Sequence, residues 1–239
     1  MSKAKTSIIW FRRDLRISDH PALLAAIEEA DAIVPVFILD KTLIDATGTK
    51  RLAYLANSLR ALDESLNNSL HVMVGDQVEV LKELMQRYDA QSVHISQEFE
   101  PYGVARDARV EAAGINLVRT GSPYAVAPGR VRKPSDGLNY RVYTPFYNAW
   151  CVHGWRKPAE TPKKINAVKP TESDRNFPTW QLPAGTTITE AGEKAAFKRW
   201  EWFQKNGLDN YDEARNMAGI DGTSKLSAHL KWGEIHPRT

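Results

Sequence analysis

The sequence predicts an α/β fold: a five-stranded, doubly wound parallel sheet, then a long connector, then a further helical segment. Three observations predict it. Between residues 6 and 121, short Val- and Ile-rich runs alternate with longer segments of helical period, the form taken by repeated βα units. Nine prolines, from Pro123 to Pro183, then interrupt any sustained period. From about residue 190 helical pattern returns. The expected division is therefore an α/β domain over 1–130, a connector over 131–189 and the start of a helical domain over 190–239.

The first strand is expected at 7–11 and is followed by a helix opening at Pro21, where a missing N–H costs nothing because the first-turn N–H groups are unpaired anyway. A second strand at 32–39 leads to a helix over 51–67, in which Leu52, Leu55, Leu59, Leu62 and Leu66 recur at steps of three and four and form a core stripe. A strand at 70–74 precedes a helix over 77–88 carrying Val78, Leu81, Leu84, Met85 and Tyr88 at the same period. A strand at 92–96, a helix over 104–113 and a strand at 116–119 complete the domain. The near-continuous apolar character of these runs fits strands buried on both faces. A structureless stretch as long as the connector is uncommon inside a compact domain, so it is expected to wrap over the first domain and join it to the next. Ala195, Ala196, Trp200 and Phe203 pattern a helix over 190–206.

Composition narrows the class. Apolar residues make up 42% and charged residues 26%, ordinary values for a soluble globular chain. A net charge of +3 describes no pronounced basic surface, so charge alone gives nucleic-acid contact no support. Cys151, the single cysteine, excludes an internal disulfide or a cysteine zinc site, which fits a reducing cytoplasm. The apolar stretch ahead of Arg12 and Arg13 is too short for a signal segment or a membrane span. The six histidines show no ligand spacing, and dinucleotide, Walker, nucleophile-elbow and zincin motifs are absent.

Two places could carry chemistry. In open parallel sheets ligands bind outside the carboxyl ends of the strands. There the sequence places Trp10, Arg12, Arg13 and Asp14 after the first strand, Asp40 and Lys41 after the second, and Glu98 and Glu100 after the fourth. They read either as a pocket for an anionic or planar polar ligand or as solvated turns. At the C-terminus, Thr223, Ser224, Lys225, Leu226 and Ser227 precede the apolar pattern Leu226, Leu230, Trp232. Hydroxyls there read either as an ordinary helix cap or as a phosphate site on free backbone N–H groups.

Four ordered stretches resemble the DNA photolyase/cryptochrome family. These are Trp10–Arg16 with Asp19-His20-Pro21-Ala22-Leu23, Arg51-Leu52-Ala53-Tyr54-Leu55 with Ser58, Leu59, Leu62 and Gly75-Asp76, Arg141–Phe146 with Trp150, and Asn210-Tyr211 with Arg215 followed by 222–230 and 233–238. His20 stands where asparagine is commoner in the family. The resemblance covers essentially the whole chain and implies that residues 190–239 are the first helices of a truncated all-α, flavin-binding domain. It implies the N-terminal part of a blue-light-driven DNA repair photolyase that splits cyclobutane pyrimidine dimers by electron transfer from reduced FAD. A cryptochrome-type photoreceptor and a stand-alone pigment- or nucleotide-binding module using only the α/β domain are the alternatives. By carry-over, Tyr211, Thr223, Ser224, Lys225, Leu226 and Ser227 would contact FAD at a site left incomplete by the chain's end, and no catalytic residue would lie in this chain. A second, light-harvesting chromophore would sit in the strand-end crevice, with Arg12, Asp40, Arg51 and Glu100 as contacts. Tyr102 and Gly103 replace the asparagine–glutamate pair of folate-type members, so a flavin-like or deazaflavin antenna is favoured over folate. Ultraviolet-damaged DNA is the implied partner, with no membrane, and the C-terminal helices are expected to be loosely packed or to pair with another chain.

Overall fold

The computed structural model describes residues 4–239. Five parallel strands form one sheet: β1 (Ala4–Phe11), β2 (Ala30–Leu39), β3 (His71–Val74), β4 (Ala90–Ile95) and β5 (Leu117–Arg119), in the order β3-β2-β1-β4-β5. Reversal of strand order about β1 makes the sheet doubly wound, as the sequence predicts, and sets a crevice outside the carboxyl ends of β1 and β4.

Helices α1 (Pro21–Glu29), α2 (Lys41–Asp45), α3 (Thr49–Ser65), α4 (Gln77–Tyr88) and α5 (Pro101–Ala112) connect the strands. Alternate residues of each strand feed opposite cores. Ile8, Trp10, Val36 and Ile38 pack with Leu81 and Leu84 of α4 and Val110 of α5 on one face. Ile9, Phe11, Ile33 and Phe37 pack with Leu23 of α1 and Leu55, Leu59 and Leu62 of α3 on the other. α1 is capped by His20, whose Nδ1 accepts the Leu23 N–H at 3.1 Å while its Nε2 lies 3.2 Å from Asp14, so the ring takes the place of a capping amide. α5 begins three residues ahead of expectation because Pro101 occupies its first turn.

The connector differs from its expected lack of structure by carrying α6 (Tyr143–His153), none of whose residues is buried. Its remainder does wrap the α/β unit. Ile33 donates its N–H to Asn166 and accepts from Val168, both at 2.9 Å, and Asn176 donates to the Val72 carbonyl at 3.0 Å. Arg87–Asp174 at 2.8 Å and Arg175–Asp63 at 2.7 Å fix the same stretch.

Three helices follow: α7 (Glu193–Asn206), α8 (Tyr211–Ala214) and α9 (Ser227–Trp232). α7 starts later than expected, at Gly192, whose φ of +103° favours glycine and whose Cβ would lie 2.6 Å from that of Ala61. The looseness expected beyond residue 190 is not general: Ala195, Ala196, Phe203, Leu226 and Ile235 are buried, although Trp202, Tyr211, Met217 and Ile220 are exposed. Residues 229–238 are docked on the α/β unit. Leu15 N–H donates to the Trp232 carbonyl and an Arg16 guanidinium N–H to the Gly233 carbonyl, each at 2.9 Å. Tyr54 of α3 donates its hydroxyl to the buried Glu234 at 2.6 Å, with His229 Nδ1 at 2.6 Å from the same carboxylate oxygen. Burial and Glu234 together push the Tyr54 phenol far above its ordinary pKa, which keeps it a donor. Among the described residues, no helix is long and apolar enough to cross a membrane.

Candidate functional site

A cavity of about 210 Å³ opens over the carboxyl ends of β1 and β2. Its floor comes from Trp10, Phe11, Phe37 and Leu39 at the strand ends, and one wall from Ile44, Leu52 and Leu55 on α2 and α3. Gln77, Glu98, Tyr102 and Arg106 form the opposite wall, and Lys231 and Trp232 of α9 complete the rim. An apolar slot with a few convergent polar groups is the usual form of a small-ligand site.

The polar groups are fixed by one another. Arg12 is 6% exposed, and it donates through Nη1 to Asp107 at 2.7 Å and through Nη2 to the Ser96 carbonyl. Arg106 shares Asp107 at 2.8 Å, and both guanidiniums lie over the Trp10 ring, at 5.0 Å for Arg12 and 4.8 Å for Arg106. Burial, then the neighbouring Arg106, holds Arg12 below the ordinary arginine range despite Asp107 and Glu98. Glu98 approaches because residue 103 is glycine: a Cβ there would lie 2.3 Å from a Glu98 carboxylate oxygen. Asp40 caps α2 by accepting from Thr42 N–H at 2.9 Å, and its second oxygen accepts from Gln77 at 2.7 Å and from the Tyr102 hydroxyl. Burial and that bond to Asp40 push Tyr102 up to about 12. At the mouth, Arg13 pairs with Glu100 at 2.6 Å, which holds Glu100 below the usual carboxylate range.

Of the four crevice residues expected from the sequence, Arg12, Asp40 and Glu100 line the cavity. Arg51 does not line it, although Leu52 beside it does; the guanidinium is exposed at the start of α3. Sequence reasoning missed Gln77, Arg106, Lys231 and Trp232 as crevice residues. Arg106 and Tyr102 share one face of α5 at the i, i+4 spacing, a usable signal. Nothing in the local sequence around Lys231 points to a strand end more than 200 residues earlier.

The hydroxyl-rich loop is built differently from a helix cap. α9 has Leu226 at its N-cap and no side-chain capping bond, because Lys225 sits in the left-handed region at φ +52° and breaks the helical path. Arg199 of α7 organises the loop instead, donating to the Ser224 carbonyl at 2.8 Å, to the Thr223 carbonyl and to both carboxylate oxygens of Asp221 at 2.7 and 2.8 Å. Lys225 also reaches Asp221 at 2.8 Å, and these two cations hold that carboxylate at about 2. With the carbonyls drawn to Arg199, the half-buried hydroxyls of Thr223 and Ser224 make no hydrogen bond among the described residues. Ser227 and Tyr211 are exposed and Leu226 is buried. Unspent hydroxyls on a tightly held loop fit the phosphate side of a dinucleotide. Among the described residues, no group of acidic, histidine or cysteine side chains could hold a metal ion.

A doubly wound parallel sheet with a slot over its strand ends defines an α/β protein of the class that takes small ligands at the carboxyl ends of its strands. The family model for DNA photolyase matches residues 7–164, and the chain belongs to the DNA photolyase/cryptochrome family. It is 32% identical over 253 residues to the deoxyribodipyrimidine photo-lyase of Agrobacterium fabrum, covering 98% of this chain and 52% of the relative. A solved class III photolyase from Agrobacterium tumefaciens superposes with a TM-score of 0.85 at 31% identity, over all of this chain and 52% of that one. A cryptochrome from Synechocystis superposes with a TM-score of 0.83 over all of this chain and 55% of that one, at 22% identity, a likeness of fold. The chain spans about half the length of the curated relatives it matches.

Proposed function

We propose that this polypeptide is the antenna-bearing part of a flavin-dependent, blue-light-driven photolyase acting on cyclobutane pyrimidine dimers in ultraviolet-damaged DNA. The observation that carries the reading is the cavity over β1 and β2, an apolar slot floored by Trp10, walled by Ile44 and Leu52 and edged by ordered polar groups, in a chain of this family. Such a slot suits a planar chromophore, with Arg12 and Asp40 held in place by Asp107 and Gln77 to orient its polar edge. Tyr102 bonded to Asp40 narrows the wall and supports a flavin-like or deazaflavin pigment over a folate. Arg51 would act only from outside the slot.

The second site is the loop held by Arg199. Thr223, Ser224 and Ser227 would offer hydroxyls to the phosphates of FAD, with Lys225 as a nearby cation, Leu226 as the buried anchor and Tyr211 at the rim. FAD, when bound, supplies the light-driven electron chemistry; these residues bind and orient it.

Photoreactivation tests the reading. Ultraviolet-irradiated DNA is incubated with the protein in its cellular form and cyclobutane dimers are counted after blue light or darkness. Loss of dimers in the light alone is expected. No light-dependent loss contradicts the repair activity and leaves a photoreceptor or a pigment-binding module.

A further inference from the structure

We propose that Arg199 is the positioning residue of the hydroxyl-rich loop: its guanidinium holds the Thr223 and Ser224 carbonyls and Asp221, which leaves the hydroxyls of Thr223 and Ser224 and the amine of Lys225 to the phosphates of FAD. This rests on reading 223–227 as the phosphate side of a flavin site and adds a residue that acts only through the loop.

Serine and threonine hydroxyls in a loop ordinarily bond to backbone groups nearby. Here the carbonyls of Thr223 and Ser224 are already occupied by Arg199, through Nη2 and through Nε at 2.8 Å. A trans peptide points its C=O and N–H in opposite directions, so holding these carbonyls turns the N–H groups of Ser224 and Lys225 away from the guanidinium. Nη1 and Nη2 also donate to the two oxygens of Asp221, at 2.8 and 2.7 Å. Four of the five guanidinium N–H groups are thus placed on one loop, a fork that a lysine ammonium does not reproduce. Asp221 would otherwise repel a phosphate. With both its oxygens paired to Arg199 it needs no second cation, and Lys225 is the looser of its two partners: 55% of that side chain is exposed, against 18% for Arg199. Among the described residues Lys225 makes no other ion pair, so it is the cation that can exchange Asp221 for a phosphate.

The arm that carries this fork is fixed at its base. Glu193, the first residue of α7, accepts the Ile17 and Ser18 N–H groups of the segment after β1 at 2.9 and 3.0 Å, and Gly192 N–H donates to the buried Glu234 at 2.7 Å. Farther along α7, the Arg199 guanidinium lies 4.1 Å from the centre of the Trp202 ring. The loop it grips is seated from the other side: a Cβ at Gly222 would lie 2.5 Å from that of Ala214 on α8. Loop and fork are therefore set by α7 and α8 ahead of any ligand, an arrangement that lowers the cost of ordering a site on binding.

The test is equilibrium binding of FAD to the protein in its cellular form, freed of endogenous flavin. Wild type, Arg199→Lys, Arg199→Gln and a Thr223→Ala, Ser224→Ala double variant are compared, with each Arg199 change also made in the double variant. The affinity lost on removing both hydroxyls measures the loop's share. Arg199→Lys keeps the charge but should lose on the order of tenfold in affinity, and without the hydroxyls its cost should shrink to roughly threefold, because most of its effect runs through them. Arg199→Gln should behave alike, so that either variant decides where the other unfolds below the wild-type urea midpoint. Amide exchange of 221–227 without FAD should accelerate in both. Wild-type affinity in the Arg199 variants, or a loss that recurs in full without the hydroxyls, would overturn the positioning role and leave the flavin site in place. If the double variant binds FAD as the wild type does, or the wild type binds none, the flavin reading of the loop fails and the role of Arg199 falls with it.

Discussion

Helices α3 and α6 invert the usual relation between apolar sequence and burial. α3 is the more polar, yet nine of its seventeen residues are buried, because its leucine stripe meets the strands of the sheet. α6 reads YTPFYNAWCVH, is apolar on nearly every side, and buries nothing. Its aromatics stack on one another instead, Tyr143 on Tyr147 at 5.8 Å and Tyr147 on Trp150 at 6.4 Å, and Trp150 stacks on Trp155 just beyond the helix at 4.6 Å. Burial thus depends on a partner surface within the chain and not on apolar content alone.

Leu59→Ala in the α3 stripe should break this contrast most strongly, at a cost of about 2–5 kcal/mol in urea unfolding, since the side chain is fully buried and a cavity would remain. A cost below about 1 kcal/mol would mean the stripe is not core. Tyr54→Phe, on the same helix, removes the hydroxyl given to buried Glu234 and should cost about 1.5–3 kcal/mol. Amide exchange should then accelerate in residues 229–238 and leave β1 unaffected, which would mark the C-terminal segment as a separately opening unit.

The same seam should respond to pH through His236. Burial, then Arg16 and Arg238, lowers this histidine to about 4, from 6.5 when unperturbed. Because its folded pKa lies below its unfolded one, its contribution is complete above pH 6.5 and is lost as pH falls toward 4. Stability should drop by on the order of 1–2 kcal/mol between pH 7.5 and 5 from this group, and His236→Gln should flatten that part of the profile. The smallest effect belongs to α6. Trp150→Ala should change stability by less than about 1 kcal/mol, the worth of a half-buried surface stack, and a larger loss would reveal packing around α6 beyond these stacked rings.

What was readable in the sequence follows the same division. α4 matches its expected span of residues 77–88 because period and cap coincide there: Asp76 accepts from Val78 N–H at 2.9 Å immediately ahead of the apolar repeat. The crevice was readable because strand ends follow from strand positions, which brought Arg12, Asp40 and Glu100 to one place. α6 was hidden by Pro145, which reads as a breaker but sits in the first turn, where its missing N–H is harmless. Of the two readings of the hydroxyls of 223–227, a helix cap or a phosphate site, the cap does not form because Lys225 turns left-handed. Lys231 and Trp232 entered the crevice through Tyr54, Glu234 and Gly233, contacts spanning about 180 residues or more that no local pattern encodes.

One pigment in the slot over β1 and β2 is the state proposed for this chain. Its most direct measurement is the binding stoichiometry of riboflavin 5′-phosphate and folic acid to the wild-type chain and to an Ile44→Trp variant, whose larger side chain projects from the wall of the slot. One equivalent of one of these pigments bound by the wild type, and none by a variant that unfolds at the wild-type urea concentration, is the predicted result. No binding of either by the wild type, or undiminished binding by the folded variant, would contradict the claim.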